Sequence, residues 1–230
     1  MGNFLVAGAR TGIGASVKQM LQEAGHTVYT AGRQEAPGSA GHLVFDAALT
    51  GPVVLPDFWP DSFDGLVYAP GTINLKPFQR LTPADFEQDF RVNVLGFVSL
   101  MQAMLPRLKK PGSASVVVFS TVATQVGMSF HASVSAAKSA LEGLALSLAA
   151  ELAPSGIRVN AVAPSLTDTP LAASLLNSPE KAEASARRHP LQRIGQPGDP
   201  AGMAAFLCSP AASWISGQVF RVDGGLSSLR

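Results

Sequence analysis

Cysteine is almost missing from this 230-residue chain: Cys208 stands alone, so no intrachain disulfide can form. Set between apolar Leu207 and Ser209, it reads as a buried, inert thiol rather than a nucleophile. Charge is scarce as well, at 14% of residues, and it is balanced at a net +1. No extended basic block occurs, which argues against nucleic acid as the main partner, because phosphate binding needs clustered positive charge. The densest basic group, Arg187, Arg188 and His189, reads as an exposed helix end. No apolar run approaches the roughly 18 residues that span a bilayer. The N-terminus shows no secretory signal, and Val6 stands where a myristoylation site wants Ser or Thr. The expectation is a soluble cytoplasmic protein with no nucleic acid, membrane or metal as partner.

Hydrophobic residues are plentiful, at 47%. They fall in short strand-like runs that alternate with helix-length segments. The runs are Asn3–Ala7, Val28–Ala31, Leu43–Phe45, Leu66–Tyr68, Val116–Phe119, Ile157–Val162 and Val219–Val222. Ile13–Ala24 has helical spacing and closes at Gly25. Pro83–Lys110 reads as one long helix with Thr82 as N-cap and Pro83 at the first position. Ser135–Ala153 reads as a second, ended by Pro154 and Gly156. Pro52, Pro56 and Pro60 recur every fourth residue and would each remove a helix hydrogen bond, so Thr50–Ser62 is expected to be an irregular crossover. The alternation predicts a Rossmann-type, doubly wound parallel sheet of seven strands in three α/β/α layers. With no internal repeat or linker, residues 1–230 are expected to form a single dinucleotide-binding domain.

The strongest local signal lies between the first strand and the first helix, in Gly8-Ala9-Arg10-Thr11-Gly12-Ile13-Gly14. Glycines there let the backbone turn tightly against a pyrophosphate, while the helix N-terminus offers free N–H donors and partial positive charge. The position, directly after a strand and before a helix, makes the turn a candidate dinucleotide cradle. The second strand ends in Thr30-Ala31-Gly32-Arg33, with no acid to hold a ribose 2′-hydroxyl. Arg33, with Arg10 as a second charge, therefore favours NADP(H) over NAD(H). Asp46 either accepts a hydrogen bond from the adenine amino group or caps the following turn.

These and further motifs resemble the short-chain dehydrogenase/reductase family over nearly the whole chain. The further motifs are Phe90-Arg91-Val92-Asn93, Val117-Val118-Phe119-Ser120-Thr121, Ala136-Ala137-Lys138, Ile157 through Pro164, and Gly217-Gln218 to Asp223-Gly224-Gly225. The resemblance implies hydride transfer between a nicotinamide and a carbonyl, alcohol or activated C=C of a small-molecule substrate. It implies that Lys138 holds the nicotinamide ribose and lowers a neighbouring phenol's pKa, that Thr121 takes the position of the family's substrate-orienting Ser, and that Asn93 holds a water relay. Ala69, Gly71, Pro164, Thr167 and Thr169 fall on cofactor-contacting positions. As an alternative, Thr167 and Thr169 start the next helix.

The departures are specific. The family's Tyr stands four residues before its Lys, and here that position is Val134. Tyr29 and Tyr68, the only tyrosines, belong to the second and fourth strands. The family's Asn-Asn-Ala-Gly becomes Tyr68-Ala69-Pro70-Gly71, and its Pro-Gly becomes Pro164-Ser165. His131, seven residues before Lys138, would share its helix face about 10.5 Å away, a spacing similar to that of the Tyr in the enoyl-reductase branch. It is a candidate proton donor, and otherwise a loop residue bonded to backbone. Residues 165–190 resemble the family's substrate-covering loop, and Met128, Phe130, Leu171 and Leu175 are candidates for an apolar pocket. The apolar faces of the two long helices resemble the family's homodimer and homotetramer contacts. Two expectations result: an NADP(H)-dependent oxidoreductase, or a cofactor-binding module or sensor without turnover.

Overall fold

The apolar runs become seven strands that align in parallel. In the computed structural model, which describes residues 1–49 and 51–229, these are β1 (Asn3–Ala7), β2 (Thr27–Gly32), β3 (His42–Val44), β4 (Gly65–Tyr68), β5 (Ala114–Phe119), β6 (Ile157–Pro164) and β7 (Val219–Val222). Thr50 and Arg230, included in the expected crossover Thr50–Ser62 and in the range 1–230, lie outside the described residues. The sheet order is β3-β2-β1-β4-β5-β6-β7. The order in which strands are added thus reverses between β1 and β4, where a doubly wound sheet opens a crevice at its carboxyl edge.

Strand alternation sorts the core into two halves. Leu5, Leu66, Tyr68, Val116, Val118 and Val159 point to one face. Phe4, Val6, Val67, Val117, Phe119 and Val162 point to the other. The second face is covered by α1 (Gly12–Glu23) through Val17 and Leu21, and by α6 (Gly198–Cys208) through Ala201, Ala204 and Leu207. The first is covered by α2 (Pro83–Phe90), α3 (Gly96–Lys109) and α4 (Ala132–Leu152), the last two inserting Phe97, Leu100, Met104, Leu141 and Ala145. Fully burying each such aliphatic or aromatic side chain contributes about 1.5–3 kcal/mol. A short α5 (Pro179–Arg187) lies beyond β6.

Three expectations are corrected by this arrangement. The span Pro83–Lys110 is not one regular helix: Arg91–Leu95 forms a π turn between α2 and α3. Within it, the Asn93 side-chain amide donates to the Asp89 carbonyl at 2.7 Å, a side-chain bond set alongside the helix ladder. The second long helix starts at Ala132, not Ser135: the Ser135 N–H already donates to the His131 carbonyl at 2.8 Å, and Ser135 Oγ donates to the Ala123 carbonyl. His189 is not part of an exposed helix end. Arg187 and Arg188 are exposed, but His189 turns inward and is 3% exposed. Thr82 and Asp85 do form a reciprocal capping box at the start of α2, and Cys208 is buried, its thiol pushed up to about 12 by desolvation.

Candidate active site

Two cavities open along the carboxyl edge of the sheet. The smaller, about 450 Å³, is lined by Gly8, Thr11, Gly12, Ile13 and Gly14 at the start of α1, and by Arg33 and Asp46 beyond β2 and β3. The turn is tight: a β-carbon at Gly14 would lie 2.3 Å from the Gly8 carbonyl oxygen. Gly8 itself has φ +74°, in the left-handed region that a side chain disfavours. The Thr11 side chain makes no capping bond, so it does not spend the first free N–H groups of α1. This cradle of backbone amides suits a diphosphate. Arg33 is exposed at the rim with no salt-bridge partner among the described residues. Arg10 is exposed and lines neither cavity. Asp46 accepts from the Ala48 N–H at 2.9 Å, so it also serves as a turn cap.

The larger cavity, about 690 Å³, joins the first at Ile13, Ala69, Gly71, Thr72, Thr169 and Leu171. Its walls are mostly apolar and include all four expected pocket residues, Met128, Phe130, Leu171 and Leu175. Lys138, Thr121, His131, Pro164 and Thr167 also line it. Lys138 rises from the second turn of α4, and its Nζ donates to the Phe119 carbonyl at 2.6 Å. Burial lowers its ammonium from the ordinary 10.5 to about 8, while the Asp89 and Glu142 charges pull it back upward. A β-carbon added at Gly71 would lie 3.4 Å from both Lys138 Nζ and Asn93 Oδ1, so these three converge where the cavities meet.

Asn93 lines neither cavity but closes the floor beneath that junction. Its amide donates to Thr72 Oγ1 at 2.9 Å, and Thr72 Oγ1 donates to Asp89 at 2.6 Å. Asn93 Oδ1 and Asp89 Oδ2 are buried without a hydrogen-bond partner in the protein, as an ordered water between such groups would require. Asp89 and Thr72 were not singled out in the sequence. An acid on an amphipathic helix is ordinarily solvated, and nothing in its spacing distinguished this one.

Other side chains are committed elsewhere. Thr121 Oγ1 accepts from the Ala123 N–H at 3.3 Å, which leaves its own proton free to donate. Ser120, the neighbouring alternative, bonds to Glu142, which also takes Thr124 Oγ1 at 2.9 Å. Val134 is 6% exposed and lines the cavity one turn before Lys138. Neither tyrosine lines a cavity; the Tyr68 hydroxyl donates to the Val92 carbonyl at 2.6 Å. His131, at the N-terminal boundary of α4, is partly exposed, and its Nδ1 lies 2.7 Å from the Ser129 carbonyl. Thr169 caps the 3₁₀ turn Pro170–Leu175 through the Ala172 N–H, and Thr167 Oγ1 donates to the Ser165 carbonyl.

A buried histidine and a half-buried serine also pair on the cavity wall. Ser165 Oγ lies 2.8 Å from His189 Nε2, and His189 Nδ1 lies 2.9 Å from the Ser185 carbonyl. Ser165 in place of the expected Gly was the one available signal; nothing in sequence joined it to a residue twenty-four positions away. Among the described residues no cluster of three or more His, Cys, Asp or Glu side chains could hold a metal.

A glycine-cradled crevice at the switch point of a seven-stranded parallel sheet defines a nucleotide-binding α/β protein. Residues 55–227 match the family described as Enoyl-(Acyl carrier protein) reductase. A tropinone reductase homolog of Arabidopsis thaliana is 33% identical, over 98% of this chain and 92% of that protein. An Agrobacterium tumefaciens structure with bound NADP, assigned as a 2-deoxy-d-gluconate 3-dehydrogenase, superposes with a TM-score of 0.87 at 32% identity, covering 98% of this chain and 96% of that one. The 3-ketoacyl-(acyl-carrier-protein) reductase of Brucella melitensis, complexed with NADH, gives a TM-score of 0.83 at 25% identity, covering 98% of each chain. The chain belongs to the short-chain dehydrogenase/reductase family of NAD(P)-dependent oxidoreductases.

Proposed function

We propose that this chain, acting as a single domain, interconverts an apolar carbonyl or enone and its reduced product with NADP(H). The observation that carries this reading is the junction of the two cavities beside the buried Lys138. Gly8, Thr11, Gly12, Ile13 and Gly14 would hold the cofactor diphosphate, with Arg10 adding positive charge from the turn. Arg33 at the rim would pair with a 2′-phosphate, and Asp46 would face the adenine end. Ala69, Gly71, Pro164, Thr167 and Thr169 would contact the nicotinamide half. When bound there, the cofactor supplies or accepts a hydride.

The chain's own groups do the rest. Lys138 presents an ammonium to the ribose and to negative charge growing on the substrate oxygen, in a site that water screens poorly. Thr121 orients that oxygen through a hydrogen bond from its hydroxyl. Asn93, Thr72 and Asp89 hold a water against Lys138. Residues 165–190 cover the substrate, and His131 contacts it at the cavity mouth. Leu146, Phe90 and Leu95, exposed on α4, α2 and the π turn, would meet a second copy in a homodimer or homotetramer.

Incubation with NADPH and a panel of apolar ketones, aldehydes and enones is expected to deplete the nicotinamide absorbance for at least one class. Arg33→Ala is expected to weaken NADPH binding by about tenfold or more and to leave NADH nearly unchanged. Tight NADPH binding without turnover of any class would instead make the chain a binding module.

A further inference from the structure

We propose that the proton for this reaction comes from Ser165, recharged by His189; the inference rests on the oxidoreductase reading above. Val134 has no proton to give, so a donor must come from another element. Four groups on the cavity wall could supply one: Thr121, Lys138, His131 and the Ser165–His189 pair. Thr121 has no base behind it to restore its proton. Lys138 spends one of its donors on the Phe119 carbonyl. His131 stands partly exposed at the mouth, held through Nδ1 by the carbonyl of exposed Ser129.

The Ser165–His189 pair is directional, with His189 buried and Ser165 half-buried on the cavity wall. A carbonyl oxygen only accepts, so the 2.9 Å contact with Ser185 requires His189 Nδ1 to carry a hydrogen. In the neutral ring, Nε2 then accepts from the Ser165 hydroxyl; in the charged ring, Nε2–H donates and frees the serine proton for another acceptor. His189 is 3% exposed and held by its backbone N–H on the Ala186 carbonyl at 3.0 Å. Ser165 is held by its N–H on the Val222 carbonyl and by Thr167 Oγ1 on its own carbonyl.

Strand register brings this pair to the reacting end of the cavity. Phe119 of β5 lies opposite Val162 of β6. The Ser120 N–H then donates to the Val162 carbonyl at 2.7 Å, so the chain segments leading to Thr121 and to Ser165 leave the sheet side by side. Both residues line the larger cavity just beyond the carboxyl ends of these adjacent strands.

A bound reduced nicotinamide would supply the hydride to the carbonyl carbon as the C=O π pair moves to oxygen. The Ser165 O–H proton passes to that oxygen, and the Nε2–H proton of charged His189 passes to Ser165 Oγ. Neutral His189, still protonated at Nδ1, regains a proton from water at the cavity mouth. Ser165 is the catalytic residue; His189 acts through it and positions it.

The test compares Ser165→Ala, His189→Gln and His131→Ala by steady-state kinetics and NADPH fluorescence titration. It adds ¹⁵N NMR of histidine-labelled wild-type protein. Gln at 189 keeps a hydrogen bond to Ser165 but cannot relay a proton. The expected result is a loss in kcat of about a hundredfold or more for the first two variants, with KM and NADPH affinity nearly unchanged, whereas His131→Ala, which removes a substrate contact, raises KM more than it lowers kcat. NMR is expected to show His189 protonated at Nδ1, with an Nε2 signal that shifts in Ser165→Ala. Wild-type kcat in His189→Gln and Ser165→Ala, or a neutral ring protonated at Nε2, would overturn the relay while leaving the oxidoreductase reading intact. Absence of wild-type turnover across the substrate panel would overturn both.

Discussion

Lys138 shows how much a single side chain depends on what surrounds it. In the unfolded chain it keeps its proton to about 10.5, but burial among β5 and α4 brings that down to about 8. Between these values the unfolded state binds the extra proton, so this residue makes folding stability rise with pH. Cys208 opposes it higher up: the folded thiol, raised to about 12, keeps a proton that the unfolded chain loses near 9. Tyr68, also raised by burial, opposes it higher still. The window from about 8 to 9 therefore isolates Lys138. Urea unfolding across that window is expected to show wild type gaining up to about 1 kcal/mol relative to Lys138→Met, in which the rise disappears. Parallel curves for the two proteins would mean that the ammonium is solvated. Its partners follow the same logic: Asp89 and Glu142 are ordinary acids in sequence, and only packing brings their charges to bear on Lys138.

At the scale of elements, the turn from β1 into α1 combines two requirements in three glycines. The chain must reverse within a few residues, and its amides must face the cavity. At Gly14 the helix lies so close to the preceding loop that a methyl group would overlap the Gly8 carbonyl. Gly14→Ala is expected to cost about 1–3 kcal/mol of stability, from overpacking, and to weaken NADPH binding at least tenfold. Thermal melting and fluorescence titration read the two effects separately. A variant that melts lower but binds normally would show that the turn shapes the fold and not the cofactor. The π turn Arg91–Leu95 serves a related end, since it carries Asn93 into the interior beside Lys138.

For the molecule as a whole, the sheet is buried on both faces, but α4 is not. Leu141, Ala145 and Ala149 pack inward, whereas Leu146 is 60% exposed on the same helix. Phe90 and Leu95 add further exposed apolar surface from the α2–α3 side. Light scattering after size exclusion is expected to find a dimer or tetramer, and Leu146→Glu to shift it toward monomer while preserving the circular dichroism spectrum. A wild-type monomer would mean that these side chains are merely solvated. No helix among the described residues is long and apolar enough to cross a membrane.

Sequence alone determined the seven strands, the helix that follows β1, the glycine turn and the position of Lys138, because each is written in local pattern: apolar runs, caps and glycine spacing; α5, α6 and the break between α2 and α3 came only with the fold. It also showed that the chain carries Val134 four residues before that lysine. Tertiary structure decided what a linear reading had no means to join. It turned His189 inward onto Ser165, placed Asp89 and Thr72 beneath Asn93, and left Arg10 outside both cavities. The physical reason is range. Local propensity acts over a few residues, whereas these pairings close loops of up to twenty-four, and their energy exists only once the sheet has brought the ends together.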